Sequence, residues 1–258
     1  MLVLGCVLRK ISIITATYDA ADTLASCLDS VRNQGVDVEH ILVDGGSTDA
    51  TLDIADSNKA NLAMIVSEPD QGIYDAMNKG IRMATGEVIG ILNADDYYPS
   101  NTVLSRVQEV FSNKDVDACY GDLVYVDSQQ TNKVKRYWRA GKFDRKKFYW
   151  GWMPPHPTFF VRSSVYEKYG LFNLDLGSAA DYEIMLRFLL KNQINAAYLP
   201  MVMVHMRMGG VSNANVSNRL AANRMDRKAW EMNGLRPYPW TLYAKPLRKI
   251  GQWVFRKP

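Results

Sequence analysis

The chain has 258 residues, 47% hydrophobic and 22% charged, which allows a substantial single core at the upper edge of what one domain holds. Its three cysteines, Cys6, Cys27 and Cys119, are scattered with no CxxC pair, which argues against a disulfide framework or structural zinc and for a reducing compartment. No window reaches the roughly 18 consecutive apolar residues that cross a bilayer, and the small net charge of +4 is unevenly placed, with no acidic residue after Glu231.

The apolar run Met1 to Val7 is followed, not preceded, by Arg9 and Lys10 and has no small-residue cleavage site, so it reads as a leader into a strand and not as a signal peptide. Ile11 to Thr15 is a β-branched strand, and Asp22 or Thr23 can cap the amphipathic stretch Leu24 to Asn33. Val38 to Val43 is a second strand that stops at Asp44-Gly45-Gly46, with Ser47 or Thr48 capping a helix over Asp49 to Ser57. Ala63 to Ser67 is a third strand, Ile73 to Ala84 a helix closed by Gly86, and Glu87 to Leu92 a fourth strand ending at Asn93-Ala94-Asp95-Asp96. The second half is less regular. Strands are expected over Val116 to Val126, Val134 to Trp138 and Thr158 to Val161, an aromatic and basic loop over Lys142 to Trp152, a helix over Asp181 to Lys191, one or two strands within Ala196 to Met208, and a polar helix over Val216 to Asn233.

Four β-then-α units in the first hundred residues predict an α/β fold with a mostly parallel sheet, right-handed crossovers and helices on both faces. A ligand then sits at the carboxyl ends of the strands. That is where the polar punctuation falls: Thr15-Ala16-Thr17, Asp44-Gly45-Gly46, Glu68-Pro69-Asp70 and Asn93-Ala94-Asp95-Asp96. The carboxylates of the last motif suit a hard divalent cation bridging to phosphate, although Asp and Asn also favour plain turns. Asp44 can accept from a base imide or a ribose hydroxyl, although Asp-Gly also marks ordinary turns. No GxGxxG or GxxxxGK[ST] accompanies it, which counts against a dinucleotide site or a P-loop.

Taken jointly, Ile-Ile-Thr-Ala-Thr-Tyr at 13 to 18, Val-Asp-Gly-Gly-Ser-Thr-Asp at 43 to 49, Ala-Thr-Gly-Glu at 84 to 87 and Asn-Ala-Asp-Asp at 93 to 96 resemble, in order and spacing, the inverting family 2 glycosyltransferases of the GT-A fold. The resemblance covers roughly residues 10 to 210. It implies a nucleotide-diphosphate sugar site, a UDP-sugar for preference, in which Thr15, Thr17 and Asp44 hold the nucleoside. The metal, Mn²⁺ or Mg²⁺, falls on Asp95 with Asp96 second. The chain departs from the family at Asn93, where many members carry Asp; Asn93 can still hydrogen-bond ribose or sugar. The segment Ser67 to Gly80 looks like that of members building bacterial capsule, O-antigen or exopolysaccharide, and Asp75 and Asn78, one turn apart on one helix face, are placed to touch nucleotide or sugar. The other reading of the pair is a capped helix with a solvated face.

Inverting transfer needs one carboxylate to take the acceptor proton. Asp181 and Glu183 are the candidates, and the family's acidic pair at this point leads to Asp181, although Ala180 replaces its first member; an Asp opening a helix is also an ordinary cap. The His156 segment resembles the strand beneath the acceptor site, so His156 is expected to contact acceptor. Gly209-Gly210-Val211-Ser212 resembles a lid near the diphosphate, and His205 beside it is a further metal candidate. In the tail, Tyr243, Leu247, Ile250, Trp253 and Val254 fall at helical spacing, with Lys245, Arg248, Lys249 and Arg256 on another face. That predicts a basic amphipathic helix over 236–258 lying on an anionic membrane, appended to a domain over 1–235, with Pro246 and Gly251 weakening its continuity.

The expectation is therefore a cytoplasmic enzyme, peripheral to the inner face of the cell membrane. It would pass one sugar per encounter to a lipid-linked or saccharide acceptor, without a nucleic-acid partner. The processive signature QxxRW is missing. The rivals are a sugar-nucleotide nucleotidyltransferase, which would need a glycine-rich basic loop where Tyr18-Asp19-Ala20-Ala21 stands, and a non-catalytic membrane-surface binding protein.

Overall fold

The structure, a computed structural model, describes residues 10–209 and 216–254. Strands β1 (Ile11–Thr17), β2 (Val38–Asp44), β3 (Met64–Ser67) and β4 (Val88–Ile91) are mutually parallel in the order β3-β2-β1-β4, linked by helices α1 (Ala21–Arg32), α2 (Thr51–Ser57) and α3 (Ile73–Met83). All of β1 is buried, which explains its nearly continuous apolar run: a central strand is covered on both faces. Ile11 and Ile13 pack with Cys27 and Val31 of α1, while Ile14 and Ala16 pack with Ala76, Met77 and Ile81 of α3. Gly80 lets α3 lie close to β1, since a Cβ there would collide with the side chain of Ile14.

The helix starts differ by a few residues from the sequence expectation. α1 begins at Ala21, ahead of Asp22 and Thr23, because its first amides are capped from the neighbouring loop: Ala20 N–H donates to Thr51 Oγ1 at 2.8 Å and Ala21 N–H to Asp49 Oδ2 at 3.1 Å. Asp49, expected inside α2, instead accepts from Thr51 N–H at 2.9 Å as that helix starts.

The parallel arrangement holds for β1 to β4, and the rest of the nine-stranded sheet is mixed. β8 (Phe160–Arg162) runs antiparallel to β4 and to β6 (Ala118–Val126), β7 (Val134–Trp138) is antiparallel to β6, and β5 (Asp96–Tyr97) is antiparallel to β9 (Ala196–Arg207), which lies parallel to β6. Period-two patterning marks a strand without giving its direction. Helices α4 (Val103–Phe111) and α5 (Ser163–Tyr169) were not anticipated, and the loop at 142–152 contains a 3₁₀ turn, Arg145–Trp150. α6 (Ala180–Met185) continues into a π-helical turn over Leu186–Lys191.

α7 (Val216–Met232) and α8 (Thr241–Val254) complete the fold. The start of the tail helix docks on the domain. Thr241 is fully buried and its hydroxyl donates to the Tyr149 carbonyl at 2.7 Å, Lys245 Nζ meets Asp226 at 2.8 Å, and Gln252 Oε1 accepts from Arg136 Nε at 2.7 Å. Gly151, at φ 72°, touches the α8 backbone so closely that a Cβ would collide with Lys245. The side chains of Leu247, Ile250, Trp253 and Val254, on which the expected apolar stripe rests, lie outside the described residues, as do Gly210, Val211 and Ser212. Among the described residues, no helix is long and apolar enough to cross a membrane.

Candidate active site

Three parallel strands end in one row. Thr17, Asp44 and Ser67 are register partners across β1, β2 and β3, and the turn after β4 folds beside them, with Leu92 N–H donating to the Ile14 carbonyl at 3.0 Å. Asp44 is fully buried and its carboxylate is saturated. It accepts from Gly46 N–H and Ser47 N–H at 3.0 Å each, from Ser67 Oγ at 2.7 Å, and from the Ser47 hydroxyl. Burial alone would raise its pKa, but these hydrogen bonds outweigh it and hold the carboxyl below its ordinary value. Asp44 thus shapes the Gly45-Gly46-Ser47 turn and has little acceptor capacity left for a base imide. The Thr15 side chain is likewise engaged by the fold. It is fully buried, with Oγ1 on His40 Nε2 at 2.9 Å, and burial pulls that imidazole down to about 4. Thr17 differs, because its hydroxyl is buried with no partner.

Asn78, expected to touch the ligand, spends its whole amide on the Phe172 peptide. Nδ2 donates to the Phe172 carbonyl and Oδ1 accepts from the Phe172 N–H, both at 2.9 Å. It ties α3 to the segment ahead of Asp181. Asp75 accepts from Gln71 N–H at 3.2 Å and lies 3.6 Å from Lys79 Nζ, at the start of α3.

The turn after β4 holds the main unpaired chemistry. Asn93 Oδ1 and both carboxylate oxygens of Asp96 are buried without a hydrogen-bond partner. Asp96 is fully buried, and burial, reinforced by the Asp95 charge, drives its pKa well above 3.8 against the pull of Arg207. Burial also raises the neighbouring Asp95, again opposed by Arg207. Arg207 is anchored beneath them, donating to the Asp95 carbonyl and to Ser26 Oγ at 2.7 Å each. Buried carboxylate oxygens with no donor, next to a second carboxylate, fit a hard divalent cation that takes its remaining ligands from a phosphate. Among the described residues no group of three or more His, Cys, Asp or Glu side chains is gathered as a metal cage. His205 stands on the sheet face opposite Asp96. It faces Tyr97 across the β5–β9 ladder, with Nδ1 3.1 Å from the Tyr97 hydroxyl, whereas Asp96 pairs with Met206, and successive strand positions point to opposite faces.

A second group gathers around the start of α6. His156 packs edge-on against Phe172 at 5.4 Å, and Tyr74 tilts against the same ring at 5.3 Å. Burial lowers the His156 pKa while the nearby Asp181 carboxylate opposes it; burial raises that of Tyr74, with Asp181 adding to the effect. Asp181 Oδ1 accepts from Tyr182 N–H at 2.6 Å. Glu183, the other candidate carboxylate, is buried and closed. Arg187 donates to it at 3.0 and 2.8 Å and Asn233 Nδ2 at 3.0 Å, so it braces α6 against α7. Both groups act on Tyr125 of β6, where after burial and Arg136 the charges of Asp96 and Asp181 raise the pKa of the phenol.

The family model of glycosyl transferase family 2 matches residues 12–170. A PGL/p-HBAD biosynthesis glycosyltransferase of Mycobacterium bovis is 34% identical over 211 residues, covering 80% of each chain. The chain superposes on S. aureus TarS with a TM-score of 0.63 at 18% identity, covering 86% of this chain and 43% of that one, so it spans less than half of that protein. A mannosyltransferase from Pyrobaculum calidifontis, solved with GDP-Man and Mn²⁺, gives a TM-score of 0.63 at 19% identity, covering 92% of this chain and 69% of that one.

Proposed function

The chain belongs to glycosyl transferase family 2, and we propose that it moves a sugar from a nucleotide-diphosphate donor, a UDP-sugar for preference, onto a hydroxyl of a lipid-linked or saccharide acceptor. We place the reaction in bacterial surface polysaccharide synthesis and give it inverting stereochemistry. One observation carries the reading: Asp96, buried with both carboxylate oxygens unpaired and with the Asp95 charge beside it, and Asp181 at the start of α6 both act on the phenol of Tyr125. Asp95 and Asp96 would hold Mn²⁺ or Mg²⁺, whose chemistry is to neutralise the diphosphate as it leaves. Thr17 Oγ1 and Asn93 Oδ1, both buried without partners, are ready to bond ribose or sugar hydroxyls. Asp181 takes the acceptor proton. His156 and Tyr74, packed on Phe172, position the acceptor beside it. Glu183 being closed leaves a single reactive carboxylate on α6, which suits one displacement with inversion. The test is a panel of UDP-, GDP- and dTDP-sugars with Mn²⁺, read for donor hydrolysis and, with a soluble saccharide acceptor, for the product's anomeric configuration by NMR. One donor hydrolysed and an inverted product are expected. A retained configuration, or no turnover of any donor, overturns the reading.

We also propose that the protein works peripherally at the inner face of the cell membrane, now on a different observation. Trp150, Tyr238, Trp240 and Tyr243 are 52%, 47%, 47% and 64% exposed, and Trp240 packs on both Trp150 and Tyr238, with Arg236 and Arg248 exposed nearby in sequence. Exposed Trp and Tyr beside cations suit the headgroup layer, and each cation at an anionic surface is worth about 1 kcal/mol. Co-sedimentation with anionic vesicles should weaken in high salt without vanishing, and should fall at least several-fold in the double variant Trp240→Ala, Tyr243→Ala. Equal pelleting of variant and parent would remove this cluster from the membrane contact.

A further inference from the structure

β7, β6, β9 and β5 place four residues in one cross-strand row: Arg136 pairs with Tyr125, Tyr125 with Met206, and Met206 with Asp96. Paired positions share a face of the sheet, so Arg136 and Asp96 stand on the same face with two strands between them. Arg136 is 8% exposed, and its guanidinium lies 4.3 Å from the centre of the Tyr125 ring. Nε donates to Gln252 at 2.7 Å, while Nη2 is buried with no partner. No ion pair among the described residues includes Arg136. A guanidinium keeps its charge at any physiological pH, and burying it without a counter-anion is costly. The same row ends in the two orphaned carboxylate oxygens of Asp96, so an unanswered cation and an unanswered anion share one face of the sheet, separated by Tyr125 and Met206.

We infer that Arg136 is the anion receptor of this site, binding a phosphate group of a reacting molecule through its free Nη2 edge. The inference rests on the transferase reading above and adds to it a specific phosphate contact made by the chain itself. Two molecules offer the same chemistry: the donor's diphosphate and the phosphate of a lipid-linked acceptor. Charge-assisted guanidinium–phosphate bonds are the strong class, and Tyr125 beneath the guanidinium plane fixes the direction in which its edge points. Gln252 of α8 holds Nε, which links the docked tail helix to the anion site.

Two ligand pairs, measured calorimetrically with the full chain, test this. UDP is compared with uridine, and farnesyl monophosphate with farnesol, each in EDTA and in Mn²⁺. The parent should prefer the phosphorylated member of at least one pair in EDTA. Arg136→Met, which keeps the volume against Tyr125 and Trp138, should reduce that preference by roughly 10- to 100-fold. Arg136→Lys should restore part of it, and serves as the probe should Arg136→Met not fold. Loss confined to the UDP pair assigns the contact to the donor, and loss confined to the farnesyl pair assigns it to the acceptor. If the parent binds UDP with Mn²⁺ and Arg136→Met alters neither preference, the inference is overturned while the transferase reading stands. If the parent binds no nucleotide under any condition, the transferase reading itself fails.

Discussion

Asp96→Asn is expected to make the metal-free protein relatively more stable as pH rises, while removing cation-dependent nucleotide binding. The stability effect follows from where the carboxylate sits. Fully buried beside Asp95, with neither oxygen hydrogen-bonded, Asp96 has a folded pKa well above the 3.8 of an ordinary carboxylate. Between those two values the unfolded chain has released the proton and the folded chain has kept it, so stability falls as pH rises through this window. Asparagine has no proton to release and escapes the fall. Melting temperatures of parent and variant in EDTA should therefore converge near pH 4 and diverge in the variant's favour toward neutrality. The functional effect has the opposite sign. A cation needs the ionised carboxylate, and if it supplies several kcal/mol of charge stabilisation, transfer falls by about 10²- to 10⁴-fold without it. Mn²⁺ should raise the melting temperature of the parent in the presence of UDP and leave the variant unmoved. Asp95→Asn should show the same loss of binding with a smaller gain in stability, since Asp95 is the less buried of the two. A variant that kept the full Mn²⁺-dependent shift would make Asp96 a merely protonated core residue and leave the cation to Asp95.

The parallel half of the sheet was legible because its signals are local. Each strand is a short apolar run closed by Asp, Gly or Asn, and each crossover helix shows its own period. The mixed half depends on long-range pairing. β8 inserts between β4 and β6, and β9 returns beside β6, and nothing in Phe160–Arg162 or Ala196–Arg207 alone specifies those neighbours. α4, though not anticipated, did carry a signal, since Val103, Leu104, Val107 and Phe111 are all buried at helical spacing and the cap-type residues Ser100-Asn101-Thr102 stand just before them. The tail's amphipathic pattern was equally compatible with a bilayer and with the domain itself. Thr241, Lys245 and Gln252 are polar positions that turn out to face the domain, which an apolar-stripe argument weights the wrong way.

At the site, residue type pointed to the right edge of the sheet without distinguishing a side chain offered to a ligand from one consumed by the fold. Thr15, Asp44 and Asn78 are polar residues at the expected places, yet His40, the Ser47 turn and the Phe172 peptide use up their hydrogen-bonding capacity. Thr17, Asn93 and Asp96 look no different in the sequence and are left unpaired. Tyr125 and Arg136 had no motif to mark them. They matter because β6, β9 and β5 align them with Asp96, a register that only the folded sheet defines.

Asp181→Asn is expected to lose about 10²- to 10⁴-fold in turnover, the usual cost of removing a general base, while donor binding stays within a few-fold of the parent. The separation is built into the structure: Asp181 sits by Tyr74, His156 and Phe172 at the start of α6, away from the Thr17–Asp44–Ser67 row. Asparagine keeps the side-chain oxygen that accepts from Tyr182 N–H, so the first turn of α6 should survive. Glu183→Gln makes the contrasting control. It breaks a buried carboxylate–guanidinium pair with Arg187 and leaves that charge uncompensated, a loss of about 3–5 kcal/mol by precedent for buried pairs, so its defect should appear as a lowered melting temperature. Rate and stability thus sort the two carboxylates. Asp181→Asn should be inactive and as stable as the parent, and Glu183→Gln unstable but catalytically competent per folded molecule. An active Asp181→Asn alongside a folded, inactive Glu183→Gln would transfer the base role to Glu183 and show that its contacts with Arg187 and Asn233 open during turnover.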